Sequence, residues 1–301
     1  MEIGIQESRK YLIPEVLSKI SNLELIAKLI VEGFMTGLHR SPFHGFSIEF
    51  SQHRPYNSGD SLRFIDWNVF GRTDRFYIKQ FEEETNLKSL ILLDVSKSMT
   101  YGSGKISKLE YGKYLASALA YMMIMQRDAV GIALFDSKIQ KLLPPKSVSS
   151  YLRPLLQELD TVEPGLDTNI SEILHVIAER IKRRGLIILI SDLLDDPENV
   201  LSSLRHFRHN NHEVLIFQIL DPKEISFNFE GDVLFEDVES GEKIRTFPWY
   251  IKNDYVNEID NFINFYKKNC LENRIDFQSM QTDTTFDVAL LEYLIKRKLL
   301  N

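Results

Sequence analysis

The run Leu90-Ile91-Leu92-Leu93-Asp94-Val95-Ser96-Lys97-Ser98 decides the fold. Its first four residues are apolar without alternation, the pattern of a strand buried on both faces. Asp94, Ser96 and Ser98 then follow at alternate positions, so one carboxylate and two hydroxyls can converge on a point just beyond the strand. Open α/β sheets bind ligands in the crevice outside the carboxyl ends of their strands, where this loop must lie.

Outward from this stretch, Val130 to Phe135, Leu186 to Ile190 and Val214 to Leu220 are near-continuous apolar runs of strand length. Helical patterns separate them. Lys108 to Gln126 is rich in small residues that let a helix approach a sheet, and Asn169 to Arg184 is a second helix. A third opens at Asp196-Pro197, with Asp as N-cap and Pro in the first turn, and runs to about His209. Ile251 to Cys270 and Phe286 to Leu299 supply two more, with Asp276 to Met280 as a final strand between them. Residues 232 to 247, with Glu239-Ser240-Gly241 in the middle, read as a hairpin insertion. The fold class expected is α/β, a doubly wound and mostly parallel sheet.

Ahead of this, Pro14 to about Leu38 carries apolar residues at helical spacing and predicts one long leading helix. Residues 39 to 86 have no clear period and predict irregular structure or short strands. The organisation expected is an N-terminal helix and elaboration over 1–86, packed on a main domain over 87–301.

The chain has 301 residues, 44% of them hydrophobic, enough for a sizeable core. With 36 basic and 43 acidic residues its net charge is -7, which offers no global attraction to nucleic acid or anionic membranes. The single cysteine, Cys270, excludes an internal disulfide and fits a cytoplasmic location, with any membrane association made through partners. Residues 1 to 10 lack the apolar core of a signal peptide, and no window holds 18 consecutive apolar residues.

A second buried strand ends at Asp192, which brings another carboxylate to the same sheet edge, and Thr168 leads a helix between the two loops. Five hard oxygen donors suit Mg²⁺ first, or Mn²⁺ or Ca²⁺, rather than Zn²⁺. Each of these residues also fits a plainer role as a turn or helix cap. The seven histidines, among them His39, His44, His53, His206, His209 and His212, match no zinc spacing, and none is assigned a role. Lys182-Arg183-Arg184 reads as the cationic close of a helix. No phosphate-cradling glycine motif is present.

The residues Ser41 to Phe50, Arg54-Pro55-Tyr56, Gly59-Asp60, Arg63, Ile65-Asp66-Trp67, Arg72, Phe81 to Glu84 and Asp94 to Met99 resemble those of the "domain of unknown function 58" family. Its members are similar to von Willebrand factor A domains, which are Rossmann-like. The resemblance implies a metal-ion-dependent adhesion site on Asp94, Ser96, Ser98, Thr168 and Asp192. Gly165 stands one residue further from Thr168 than in many such domains, with Asp167 as the fallback ligand. The resemblance also implies partnership with a MoxR-type AAA+ ATPase in chaperone-like work on other proteins.

The function expected is therefore a non-catalytic, metal-dependent protein-binding module. The alternative is a Mg²⁺-dependent phosphohydrolase using Asp94, against which stands Ser96 where a second acid would be needed. A third reading keeps the fold without metal and makes segment 39–86 the binding surface.

Overall fold

The computed structural model describes residues 12–38, 53–55, 70–71, 76–79, 87–165, 169–236 and 243–300. At its centre is a six-stranded sheet. Its strands are β3 (Lys88–Asp94), β4 (Ala129–Phe135), β5 (Ile139–Lys146), β6 (Leu186–Ser191), β7 (Glu213–Leu220) and β10 (Asp276–Gln281). They lie in the order β10-β7-β6-β3-β4-β5, all parallel except β5, which runs antiparallel along β4. This is the doubly wound, mostly parallel α/β sheet that the apolar runs predict.

Strand periodicity of two divides the core between the faces. Ile91 and Leu93 face one layer with Ile188 and Ile190, while Leu90 and Leu92 face the other with Ile187 and Leu189. Helix α3 (Lys108–Met125) covers the first face, where Ala116, Ala118 and Ala120 are buried at most 2% exposed and Gly112 leaves no room for a Cβ beside Leu93. Helices α4 (Leu152–Thr161) and α9 (Asp287–Leu300) share that layer. The second face is covered by α5 (Ile170–Arg180), α6 (Pro197–His209) and α8 (Lys252–Glu272).

The leading segment is two helices, α1 (Pro14–Leu17) and α2 (Leu23–Leu38), instead of one. The break has a local cause, because Asn22 Oδ1 accepts from the Leu25 N–H and starts α2 afresh. Ile26, Ile30 and Phe34 of α2 join the core of the first face beside α3. Most of the 39–86 segment, and the Glu239-Ser240-Gly241 tip, lie outside the described residues. Within that segment β1 (His53–Pro55) pairs antiparallel with β2 (Tyr77–Lys79). The insertion is a hairpin as expected, with β8 (Val233–Glu236) antiparallel to β9 (Lys243–Thr246).

Helix α5 ends at Arg180, four residues before the predicted end, so Lys182 to Arg184 belong to the loop into β6 and do not close the helix. Asp196 caps α6 as predicted, its carboxylate accepting from the Asn199 N–H at 2.9 Å with Pro197 in the first turn. Among the described residues no helix is long and apolar enough to cross a membrane.

Candidate metal centre

Strand order reverses between β3 and β6: from β3 the chain winds outward to β4, and from β6 it winds the other way to β7 and β10. Such a switch point leaves a crevice at the carboxyl ends of the two strands. Asp94 ends β3, and Asp192 follows the last residue of β6. Both carboxylates are fully buried.

The first loop is held tightly. Asp94 Oδ1 accepts from the Ser96 N–H at 2.9 Å, and Oδ2 accepts from the Ser191 hydroxyl at 2.7 Å. The Ser96 and Ser98 hydroxyls stand 3.1 Å apart. Ser96 is buried and Ser98 half-buried, so the donor set runs from the interior towards solvent. Gly165 N donates to the Val95 carbonyl at 2.7 Å and ties the second loop to the first, and a Cβ at Gly165 would strike the buried Asp136 side chain. Thr168 and its fallback Asp167 lie outside the described residues.

The third loop turns sharply. Leu193 is buried yet has φ of 60°, a left-handed conformation that costs a branched side chain on the order of 1 kcal/mol. The Ser191 hydroxyl, which donates to Asp94, also accepts the Leu193 N–H at 2.9 Å. One serine thus couples the strained turn to the first carboxylate. Gln218 on the neighbouring strand donates to the Asp192 carbonyl at 3.3 Å.

One residue of the site escaped the sequence reading. Lys108, the first residue of α3, is fully buried, and its Nζ donates to Asp192 Oδ2 at 2.8 Å and to Glu224 Oε1 at 2.6 Å. Burial alone would lower its pKa; Asp192 and Glu224 outweigh that and raise it. Glu224 lies in the short helix α7 (Pro222–Ser226) and also accepts from the Asp221 N–H, while Asp221 accepts from both the backbone and hydroxyl of Ser103. The sequence signal was weak, since a lysine opening a helix reads as solvated.

Burial, then the negative charge of Asp192, push the Asp94 carboxyl up to about 7, against the lowering hydrogen bonds from Ser96 and Ser191. Asp192 and Glu224 share one ammonium, that of Lys108, while Asp94 lies buried close enough to Asp192 for that negative charge to raise it. Once Asp94 ionises, the three carboxylates exceed the ammonium by two charges, which one divalent cation would balance. Among the described residues no three His, Cys, Asp or Glu side chains are gathered as a metal cluster; here the further oxygens come from serines. The donor set fits a hard cation.

The family model described as "Protein of unknown function DUF58" matches residues 52–257, well over half of the chain. The chain belongs to the DUF58 family. Uncharacterized proteins of Mycobacterium tuberculosis and Mycobacterium bovis are each 26% identical to this DUF58 chain over 231 residues, covering 76% of it and 72% of their own length. BatB, a conserved hypothetical protein of Bacteroides thetaiotaomicron, overlays with a TM-score of 0.50 at 17% identity, over 71% of this chain and 100% of its own. An aerotolerance-related membrane protein of Bacteroides fragilis, solved with multiple mutations to serines, overlays with a TM-score of 0.50 at 20% identity, over 70% of this chain and 99% of its own. The VWA domain of SpRpn10 is 13% identical over 68% of this chain and 93% of its own, with a TM-score of 0.38. At the identities of the two Bacteroides structures the likeness is one of fold.

Proposed function

We propose that this DUF58 chain is a non-catalytic binding module that presents a divalent cation to an acidic residue of a partner protein. Asp94, Ser96, Ser98 and Asp192 would hold the cation, with Thr168 from the second loop, and Mg²⁺ is the first choice. The observation that carries the reading is the pair of fully buried carboxylates at the switch point, faced by hydroxyls, with the one ammonium at Asp192 shared with Glu224. Bound there, the ion would supply a Lewis-acidic position for a carboxylate. Lys108 and the Leu194 N–H, at 2.8 and 3.2 Å, already occupy Asp192, while Ser96 and Ser191 hold Asp94 in place. Ser96 stands where a phosphohydrolase of this plan would need a second acid, which favours binding over turnover.

The same sheet edge carries exposed aromatics. Helix α8 begins there, since it leads back to the amino end of β10. Just before it, Trp249 is 64% and Tyr250 67% exposed, their rings stacked 3.7 Å apart, with Phe247 beside them. Aromatic side chains of this kind dominate protein interfaces. Trp249→Ala is expected to weaken partner binding by about 2 kcal/mol while leaving Mg²⁺ affinity unchanged. Equal affinity of variant and wild type for the partner would remove this cluster from the interface.

The partner proposed is a MoxR-type AAA+ ATPase or its client. The test is copurification of the full chain with that ATPase, with and without EDTA, for wild type and Asp94→Ala. Association that survives both EDTA and the substitution overturns the reading.

Metal also predicts a pH dependence. The folded pKa of Asp94, about 7, lies above its ordinary value of 3.8, so ionisation is penalised in the metal-free fold. That penalty starts to grow above the ordinary value and is complete above the raised one, and a bound cation relieves it. The rise in Tm produced by Mg²⁺ is expected to be larger at about pH 8 than at about pH 6. Equal shifts at both would contradict the account.

A further inference from the structure

We propose that His175 and His206 form a second metal site, for a borderline transition ion such as Zn²⁺, which clamps helix α5 to helix α6. The two helices lie side by side on the second face of the sheet, sharing the core of Ile173, Leu174, Ile177, Leu204 and Phe207. Their histidines, 31 positions apart in the chain, meet with Nδ1 3.2 Å from Nδ1, ring centroids 5.4 Å apart and planes inclined by 47°.

The spacing fits two uses. One Nδ1–H can donate to the other ring's lone pair, or both lone pairs can face one ion. Zinc–nitrogen bonds of roughly 2.0–2.1 Å at tetrahedral angles put two imidazole nitrogens about 3.3 Å apart, close to the separation seen, so the clamp needs the rings to tilt towards a shared ion without moving apart. Both rings are half-buried, which fixes them without sealing them. A groove of about 400 Å³ between the helices, lined by Asn169, Ser171, Glu172, His175, Glu179 and Ser202 among others, opens one member of the pair, His175, to solvent.

A third ligand has an address. Glu179 follows His175 by one helical turn, the i,i+4 spacing at which two side chains of one helix reach a common metal. It is exposed and lines the groove. Glu172, on the other side of His175, is engaged with the Asn169 amide at the start of α5. No third His, Cys, Asp or Glu among the described residues is gathered to the pair as it stands; the proposed site takes Glu179, turned inward, as its third ligand and solvent as its fourth. Imidazole suits Zn²⁺, Ni²⁺ or Cu²⁺ and disfavours Mg²⁺, which keeps this site chemically separate from the oxygen-rich centre at Asp94 and Asp192.

Titration calorimetry of the untagged full chain with Zn²⁺, in saturating Mg²⁺, tests the proposal. The expected result is saturable binding of one ion that weakens at least about tenfold in His175→Ala and in His206→Ala, less in Glu179→Gln, and not at all in Asp94→Asn. Co²⁺ in place of Zn²⁺ is expected to give the visible absorption of a tetrahedral site, lost in the same variants. Far-UV circular dichroism checks that each variant folds, and His175→Gln with His206→Asn replaces any alanine variant that does not. Absence of saturable Zn²⁺ binding, binding that persists in both histidine variants, or binding lost in Asp94→Asn overturns the proposal. In the first two cases the pair is a hydrogen bond between helices.

Discussion

Asp94→Asn is expected to abolish the Mg²⁺ response and, in EDTA at about pH 8, to make the chain more stable than wild type. The two effects have one origin. In the metal-free fold the Asp94 carboxyl is buried beside Asp192 and resists ionisation up to about 7, some three units above its ordinary value. Keeping it charged above that pH therefore costs stability, which asparagine avoids. The amide still offers one oxygen to the Ser96 N–H, and the Ser191 hydroxyl can turn to accept from the amide nitrogen. What the variant lacks is the charge that draws the cation. Chemical denaturation in EDTA and in Mg²⁺ separates the two effects. An Asp94→Asn chain less stable than wild type in EDTA would show that the carboxylate serves the turn and nothing more.

Lys108→Met is expected to destabilise the metal-free chain by about 3–5 kcal/mol, because it leaves Asp192 and Glu224 buried or half-buried with no counter-charge. Methionine fills a similar volume, so the loss is electrostatic more than steric. Two rescues follow. Adding Glu224→Gln removes one of the stranded charges and is expected to restore part of the stability. Mg²⁺ replaces the missing positive charge near Asp192 and is expected to stabilise Lys108→Met by more than it stabilises wild type. Thermal unfolding of the single and double variants with and without Mg²⁺ measures both, and a loss that neither rescue touches would make Lys108 a packing residue.

The two predictions draw on unequal amounts of sequence information. Asp94, Ser96, Ser98 and Asp192 were legible because each closes or follows a strand apolar on both faces, and such strands place their ends at a known edge. Lys108 was not, since its partners lie 84 and 116 residues away and only the folded sheet brings them in. Edge strand β5 escaped for another reason: Ile139–Lys146 contains Pro144-Pro145, which reads as a break but is tolerated at a sheet edge where one row of N–H groups has no partner strand. The amphipathic α4 was also missed, being only 10 residues long. The leading helix was over-extended because apolar spacing continues through Ser18–Asn22 while the Asn22 cap restarts the backbone. His175 and His206 are unremarkable in sequence and adjacent only because α5 and α6 pack together.

The ties that assemble the oxygen centre span long stretches of chain: Ser191 donates to Asp94 across 97 residues, and Lys108 reaches Glu224 across 116. A polypeptide is made from its amino terminus, and contacts this distant form late. The nascent chain therefore exposes the Asp94 loop long before it can complete it. Under the proposed function, partner capture is expected only once β6 and β7 have docked and Glu224 has reached Lys108, so unfinished molecules are expected not to bind.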